Sequence, residues 1–255
     1  MSLNGAFPLL YLRGSDKMKD RNPNQIIQED IIEHHEHGCC GENSSVIEEL
    51  AYHFPYAIYA VALTIAMCSL VILGGAGITH RNLDLLFHTF HFMHIVFAAT
   101  GTLITYFRFS RNMVGALIVG LIVPSVFCVL SDVVMPYYGG KMLGLDMDWH
   151  ICFASELHNV LPFLFMGMLN GFVLSRHDMA RQEVYSIVSH FTHILVSSLA
   201  SAFYLIAHGF DTWYLNIGSF FLFLIIVVVV PCTLGDVVVP MFFARMRQDN
   251  EEHTA

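Results

Sequence analysis

Six stretches of this chain, near 55–77, 85–107, 112–135, 158–175, 184–207 and 215–241, are apolar almost throughout. At about 1.5 Å of rise per residue, each can cross a hydrocarbon layer roughly 30 Å thick. Inside lipid there is no water to bond the backbone, so every amide must find its partner within the segment, and apolar runs of this length read as helices. The chain is therefore expected to be an all-α integral membrane protein with six transmembrane helices. With 55% hydrophobic and only 13% charged residues among 255, it holds more apolar material than a soluble domain can bury. The fourth run is short and interrupted by Pro162, Asn170 and Gly171, and the sixth is long enough to tilt or bend near Pro231.

The runs are not independent. Cys128-Val129-Leu130-Ser131-Asp132-Val133-Val134-Met135-Pro136 returns 104 residues later as Cys232-Thr233-Leu234-Gly235-Asp236-Val237-Val238-Val239-Pro240, with six of nine positions identical. Upstream, His91-Phe92-Met93-His94-Ile95 is echoed by His190-Phe191-Thr192-His193-Ile194, and His53 by His158. The chain thus divides into two three-helix repeats, 53–142 and 158–246, with an outer loop at 143–157 and tails at 1–52 and 247–255. Three crossings per repeat is an odd number, so the second copy enters from the opposite face and the repeats have inverted topology. Inverted repeats recur in secondary transporters.

Basic residues orient the chain. Arg108, Arg111, Arg176, Arg181, Arg245 and Arg247 fall on the side of the termini, together with Arg13, Lys17, Lys19 and Arg21, whereas Arg81 and Lys141 fall opposite. The positive-inside bias puts both termini in the cytoplasm. The net charge of -9 gives no sign of a nucleic-acid partner, and no nucleotide motif is present. A homo-oligomer is compatible with the chain. Cys68, Cys128, Cys152 and Cys232 lie in or beside apolar runs and read as thiols or ligands rather than as a disulfide framework.

Polar residues in the spans carry the chemistry. An aspartate in hydrocarbon is unfavourable by about 2.5–3.5 kcal/mol on insertion scales and normally faces a partner or a path. Counting from the apolar boundaries places His91, His94, Asp132 and His158 near the outer face, and His53, His190, His193 and Asp236 near the cytoplasmic face. Each HisxxHis presents two imidazoles from one helix face. Three nitrogens and one oxygen suit a divalent transition metal, Zn²⁺ or Fe²⁺ foremost, with Mn²⁺, Co²⁺ and Ni²⁺ open. Cys128 and Cys232, four residues before their aspartates, are additional candidate ligands, and His88 extends the outer pair as an entry ligand. The amino-terminal tail packs His34, His35, His37, Cys39 and Cys40 into a second, looser metal-collecting segment, preceded by a short expected helix at 24–33. Asp146, Asp148 and His150 in the outer loop can concentrate cations, and Pro124 and Pro231 either open backbone carbonyls toward the path or set kinks.

The expected function is a membrane transporter of a divalent transition-metal ion, with proton coupling through imidazoles that must lose protons to bind metal. The alternatives are an intramembrane metal-dependent enzyme acting on lipid, a di-haem electron-transfer protein using cross-helix pairs such as His94 with His158, and a thiol relay through Cys128 and Cys232.

Overall fold

The computed structural model describes residues 46–74, 80–149, 156–177 and 179–252. The tail cluster at 34–40, the expected helix at 24–33 and His150 lie outside the described residues. The described residues are helical, with no strand among them, and six helices are long and apolar enough to cross a membrane. These are α1 (Val46–Gly74), α2 (His80–Phe109), α3 (Met113–Met142), α4 (Leu157–Leu174), α5 (Met179–Ala207) and α6 (217–252).

Helices α2 and α5 pack on each other at the centre and are buried over most of their length. The peripheral helices turn aliphatic faces outward, Leu117, Ile118, Leu121 and Ile122 on α3 and Leu222, Ile226 and Val230 on α6, as a bilayer-facing surface requires. The first helix of each repeat packs along the second helix of the other: α1 lies along α5 and α4 along α2. On α1 the contact is the face Ala57, Ala60, Val61, Thr64 and Cys68, all fully buried at helical spacing. On α4, Gly167 and Gly171 bring the backbone against Val96 and Thr100, and the Thr100 hydroxyl donates to the Gly167 carbonyl at 3.1 Å. Small residues four apart permit such close approach. So Gly171, which looks like an interruption in the sequence, forms with Gly167 the packing surface of α4, and exposed Asn170 beside it donates to Thr100 Oγ1 at 3.3 Å.

A three-residue link joins α2 to α3. Asn112 caps α3, its side-chain oxygen accepting from Gly115 N at 2.8 Å. After α3, Tyr204 of α5 donates its hydroxyl to the Asp148 carbonyl at 2.5 Å, and Lys141 pairs with exposed Asp146 at 3.8 Å.

Neither α3 nor α6 is a regular α-helix. Single π turns occur at Leu130–Val134, Ile225–Val229 and Leu234–Val238. Each has a proline four residues after its middle residue: Pro136 after Asp132, Pro231 after Val227, Pro240 after Asp236. A proline ring clashes with the carbonyl four residues back and offers that carbonyl no N–H, and widening the preceding turn relieves both. The irregularity expected near Pro231 takes this form. Pro124 lies within continuous α-helix, with no π turn beside it.

Candidate metal centre

The two π turns that hold the repeated motif also hold its aspartates. In the first, Met135 N–H bonds to the Leu130 carbonyl, and the next residue, Pro136, has no N–H, so the Ser131 carbonyl is left over. The hydroxyl of Ser201, on α5, donates to it at 3.0 Å. In the second, Val239 N–H bonds to Leu234, Pro240 has no N–H, and the Gly235 carbonyl is left over. Thr102, on α2, donates to that one at 3.3 Å. Thr102 and Ser201 are equivalent in the repeat, so each π turn is held by a hydroxyl from the other repeat.

Within each repeat the HisxxHis of the middle helix meets the aspartate of the third. Asp132 Oδ2 accepts from His91 Nδ1 at 2.8 Å and from His94 Nδ1 at 2.6 Å. Its other oxygen, Oδ1, accepts from Ser197 at 2.6 Å and Ser131 at 2.9 Å. All five residues are inaccessible to solvent. Asp236 Oδ2 likewise accepts from His193 Nδ1, and from His190 Nδ1 at 3.4 Å. Asp236 Oδ1, however, has no hydrogen-bond partner. The sequence explains the difference: Gly235 stands where the first copy has Ser131, and Ala98 where the second has Ser197. Gly101 makes room for Asp236, since a Cβ there would lie 2.7 Å from Oδ2.

An ionised carboxylate only accepts, so it assigns the proton of each imidazole to Nδ1 and leaves the Nε2 lone pair facing away. The Nε2 atoms of His91, His190 and His193 are buried without hydrogen bonds. That of His94 lies 3.6 Å from Cys128 Sγ and 3.7 Å from Cys232 Sγ. Donor atoms converge in three buried groups, His91 with His94 and Asp132, His190 with His193 and Asp236, and His94 with His193 and Cys232, each able to hold a metal ion.

The sequence reading keeps the two constellations apart, near opposite faces; the structure joins them. His94 and His193 rings stand with centroids 4.4 Å apart. Both helices start earlier than their apolar windows, α2 at His80 and α5 at Met179. His94 and His193 are each fourteen residues in, about 21 Å along helices of 30 and 29 residues. That is the middle of the bundle.

His53 of α1 contacts His190 edge to face at 5.0 Å between centroids, which is the cross-repeat partnership expected of it. The expected counterpart fails: His158 is exposed on the first turn of α4 and belongs to none of the converging groups. His94, by contrast, is fully buried, so the pair of His94 with His158, one example of the cross-helix pairs open to a di-haem protein, joins an inaccessible residue to an exposed one. His88 sits one turn outward from His91, half-buried, with Nδ1 2.9 Å from the Asp84 carbonyl and Nε2 4.0 Å from Glu156. The resulting string is His88, His91, His94, His193, His190 and His53, joined by Asp132 and Asp236.

Ser131, Ser197, Ser201 and Thr102 are absent from the sequence-based candidates. A polar stripe marks them: His190, His193, Ser197 and Ser201 recur on one face of α5, and His91, His94 and Thr102 on one face of α2. Comparison of the chain with models of protein families, with curated proteins and with solved structures finds no match, so the function of this buried His, Asp and Cys centre is read from its own geometry.

Proposed function

We propose that the protein is a multi-pass membrane transporter of a divalent transition-metal ion, built from two inverted three-helix repeats with both termini on the cytoplasmic side. The observation that carries this reading is the string of imidazoles from His88 to His53, anchored by two buried aspartates and continuous where His94 meets His193. A structural role alone does not call for two aspartates and five histidines at no more than 2% exposure inside a bundle of apolar helices, because burying such groups is unfavourable without a polar task. Equivalent hydroxyls holding equivalent π turns support the repeat, and a polar site at mid-depth on interrupted helices is what inverted-repeat transporters use.

The metal is the cargo. Its ligands are imidazole nitrogens aimed by Asp132 and Asp236, and entry displaces the protons that compete for those nitrogens, which makes proton coupling a natural consequence. On this reading, the burial of every central donor is that of an occluded state between openings to the two sides.

The test is zinc flux into liposomes containing the purified protein and an entrapped zinc indicator. The wild type is expected to give saturable uptake, and the Asp132→Asn/Asp236→Asn double variant, inserted to the same level, to need at least about 10–100-fold more zinc for the same rate. Equal flux from the double variant refutes the reading.

A further inference from the structure

Resting on the metal-transport reading, we infer that the occluded ion sits in one central site shared by the repeats, with Cys128, Cys232, His94 and His193 as ligands and the two aspartates outside the coordination shell. The cargo is then a thiophilic ion of the zinc class rather than a hard one such as Mn²⁺ or Mg²⁺.

Tetrahedral coordination accommodates the spacing of one kind of contact and not that of the other. In a tetrahedron with metal–nitrogen bonds of about 2.0–2.1 Å and metal–sulfur bonds of about 2.3 Å, a nitrogen and a sulfur ligand stand roughly 3.6 Å apart. His94 Nε2 stands 3.6 Å from Cys128 Sγ and 3.7 Å from Cys232 Sγ. Nitrogen and oxygen ligands of one tetrahedral ion stand roughly 3.3 Å apart by the same reckoning. Asp132 Oδ2 is 2.8 and 2.6 Å from its two imidazole nitrogens, which is hydrogen-bond spacing. The carboxylates therefore orient ligands, and the thiols and Nε2 atoms form the shell.

Two independent features point into the same spot. His193 Nε2 is buried and has no hydrogen-bond partner while its Nδ1 is held by Asp236. His94, His193 and Cys232 offer donor atoms all within 4.8 Å of one another, and Cys128, equivalent to Cys232 in the repeat, stands 3.6 Å from His94 Nε2. Both thiols are free and buried. Two thiolates neutralise a divalent ion in surroundings of low polarity. Sulfur and imidazole together favour Zn²⁺ and Cd²⁺ over oxygen-seeking Mn²⁺ and Mg²⁺.

The experiment is X-ray absorption at the zinc edge on full-length protein loaded with one equivalent of Zn²⁺, followed by competition with Cd²⁺ and Mn²⁺. The expected shell has two sulfur atoms at about 2.3 Å and two nitrogens at about 2.0–2.1 Å. Cd²⁺ should displace Zn²⁺ and an equal excess of Mn²⁺ should not. With Co²⁺ in place of Zn²⁺, a thiolate charge-transfer band should appear and lose about half its intensity in Cys128→Ser and in Cys232→Ser, in proportion to the sulfurs remaining. A shell of nitrogen and oxygen only, around zinc that binds and is transported, overturns this inference and leaves the transport reading standing. A wild type that neither binds nor moves zinc overturns both. The wild-type spectrum decides without any variant, should the serine variants fold poorly.

Discussion

Asp132 separates a carboxylate that aims ligands from one that is a ligand. Replacement by asparagine keeps its shape: the amide oxygen still accepts from His91 and His94, and the NH₂ group can donate to the oxygens of Ser131 and Ser197, which now stand 2.9 and 2.6 Å from Oδ1. What is lost is the charge in two imidazole bonds, about 1 kcal/mol each as charged hydrogen bonds become neutral ones. Unfolding stability should fall by about 1–2 kcal/mol, and zinc affinity by the 10–100-fold typical of a lost supporting group, or about 1.4–2.7 kcal/mol. Alanine is a different perturbation. Ser131 and Ser197 can turn to each other at 3.3 Å, but the two Nδ1–H groups stay buried without acceptors, at about 1–3 kcal/mol each. Asp132→Ala should therefore lose about 2–6 kcal/mol of stability, with the tautomers of His91 and His94 no longer fixed. The assay is thermal unfolding beside zinc affinity by chelator competition, both in detergent. If Asp132→Asn abolishes zinc binding as completely as Asp132→Ala, the carboxylate is a direct ligand and the reasoning fails.

Ala98→Ser places a hydroxyl where the first repeat has Ser197, and should give Asp236 Oδ1 the donor it lacks, raising stability by about 1.5–3 kcal/mol in a denaturation series; no gain would mean the two aspartates are not in equivalent settings. Pro136→Ala, or Pro240→Ala, restores the N–H whose absence widens the turn at Asp132 or Asp236. Removing proline from a helix interior relieves up to about 3 kcal/mol, so unfolding should shift upward while zinc affinity falls as the aspartate rotates off its histidines; unchanged affinity would dissociate the π turn from the site. Zinc affinity should weaken steadily as the pH falls, because protons compete with the metal for imidazole nitrogens; a flat titration by the same chelator assay would exclude imidazole ligation.

The six helices, the duplication and the residues of both triads are legible in the sequence because hydropathy, spacing and repetition report them directly. Depth is not. Hydropathy begins the second and fifth spans near 85 and 184, but α2 and α5 begin at His80 and Met179, since a helix continues through polar first turns such as Arg81-Asn82-Leu83-Asp84 into the interfacial zone. That shift carries HisxxHis to mid-bundle and merges what read as two stations. The failure of His158 has a related cause. It echoes His53 in sequence, yet His53 lies seven residues into α1 and His158 one residue into α4, so repetition conserves the residue and not its burial. The role of the aspartates turns on differences of under 1 Å between hydrogen-bond and ligand spacing, which no residue pattern encodes. Ser197 and Ser201 fall on the histidine face of α5, but serine is common enough in helices that its purpose emerges only once Asp132 and the spare Ser131 carbonyl are seen opposite.

Metal content per chain tests the central claim most directly: that the two repeats build one metal centre. Purified full-length protein, equilibrated with limiting zinc and measured by elemental analysis, should carry one tightly held ion per chain. His94→Ala and His193→Ala should each lose it entirely, because the ion uses both repeats. Two ions per chain, with each variant losing only one, would show separate stations and contradict the account.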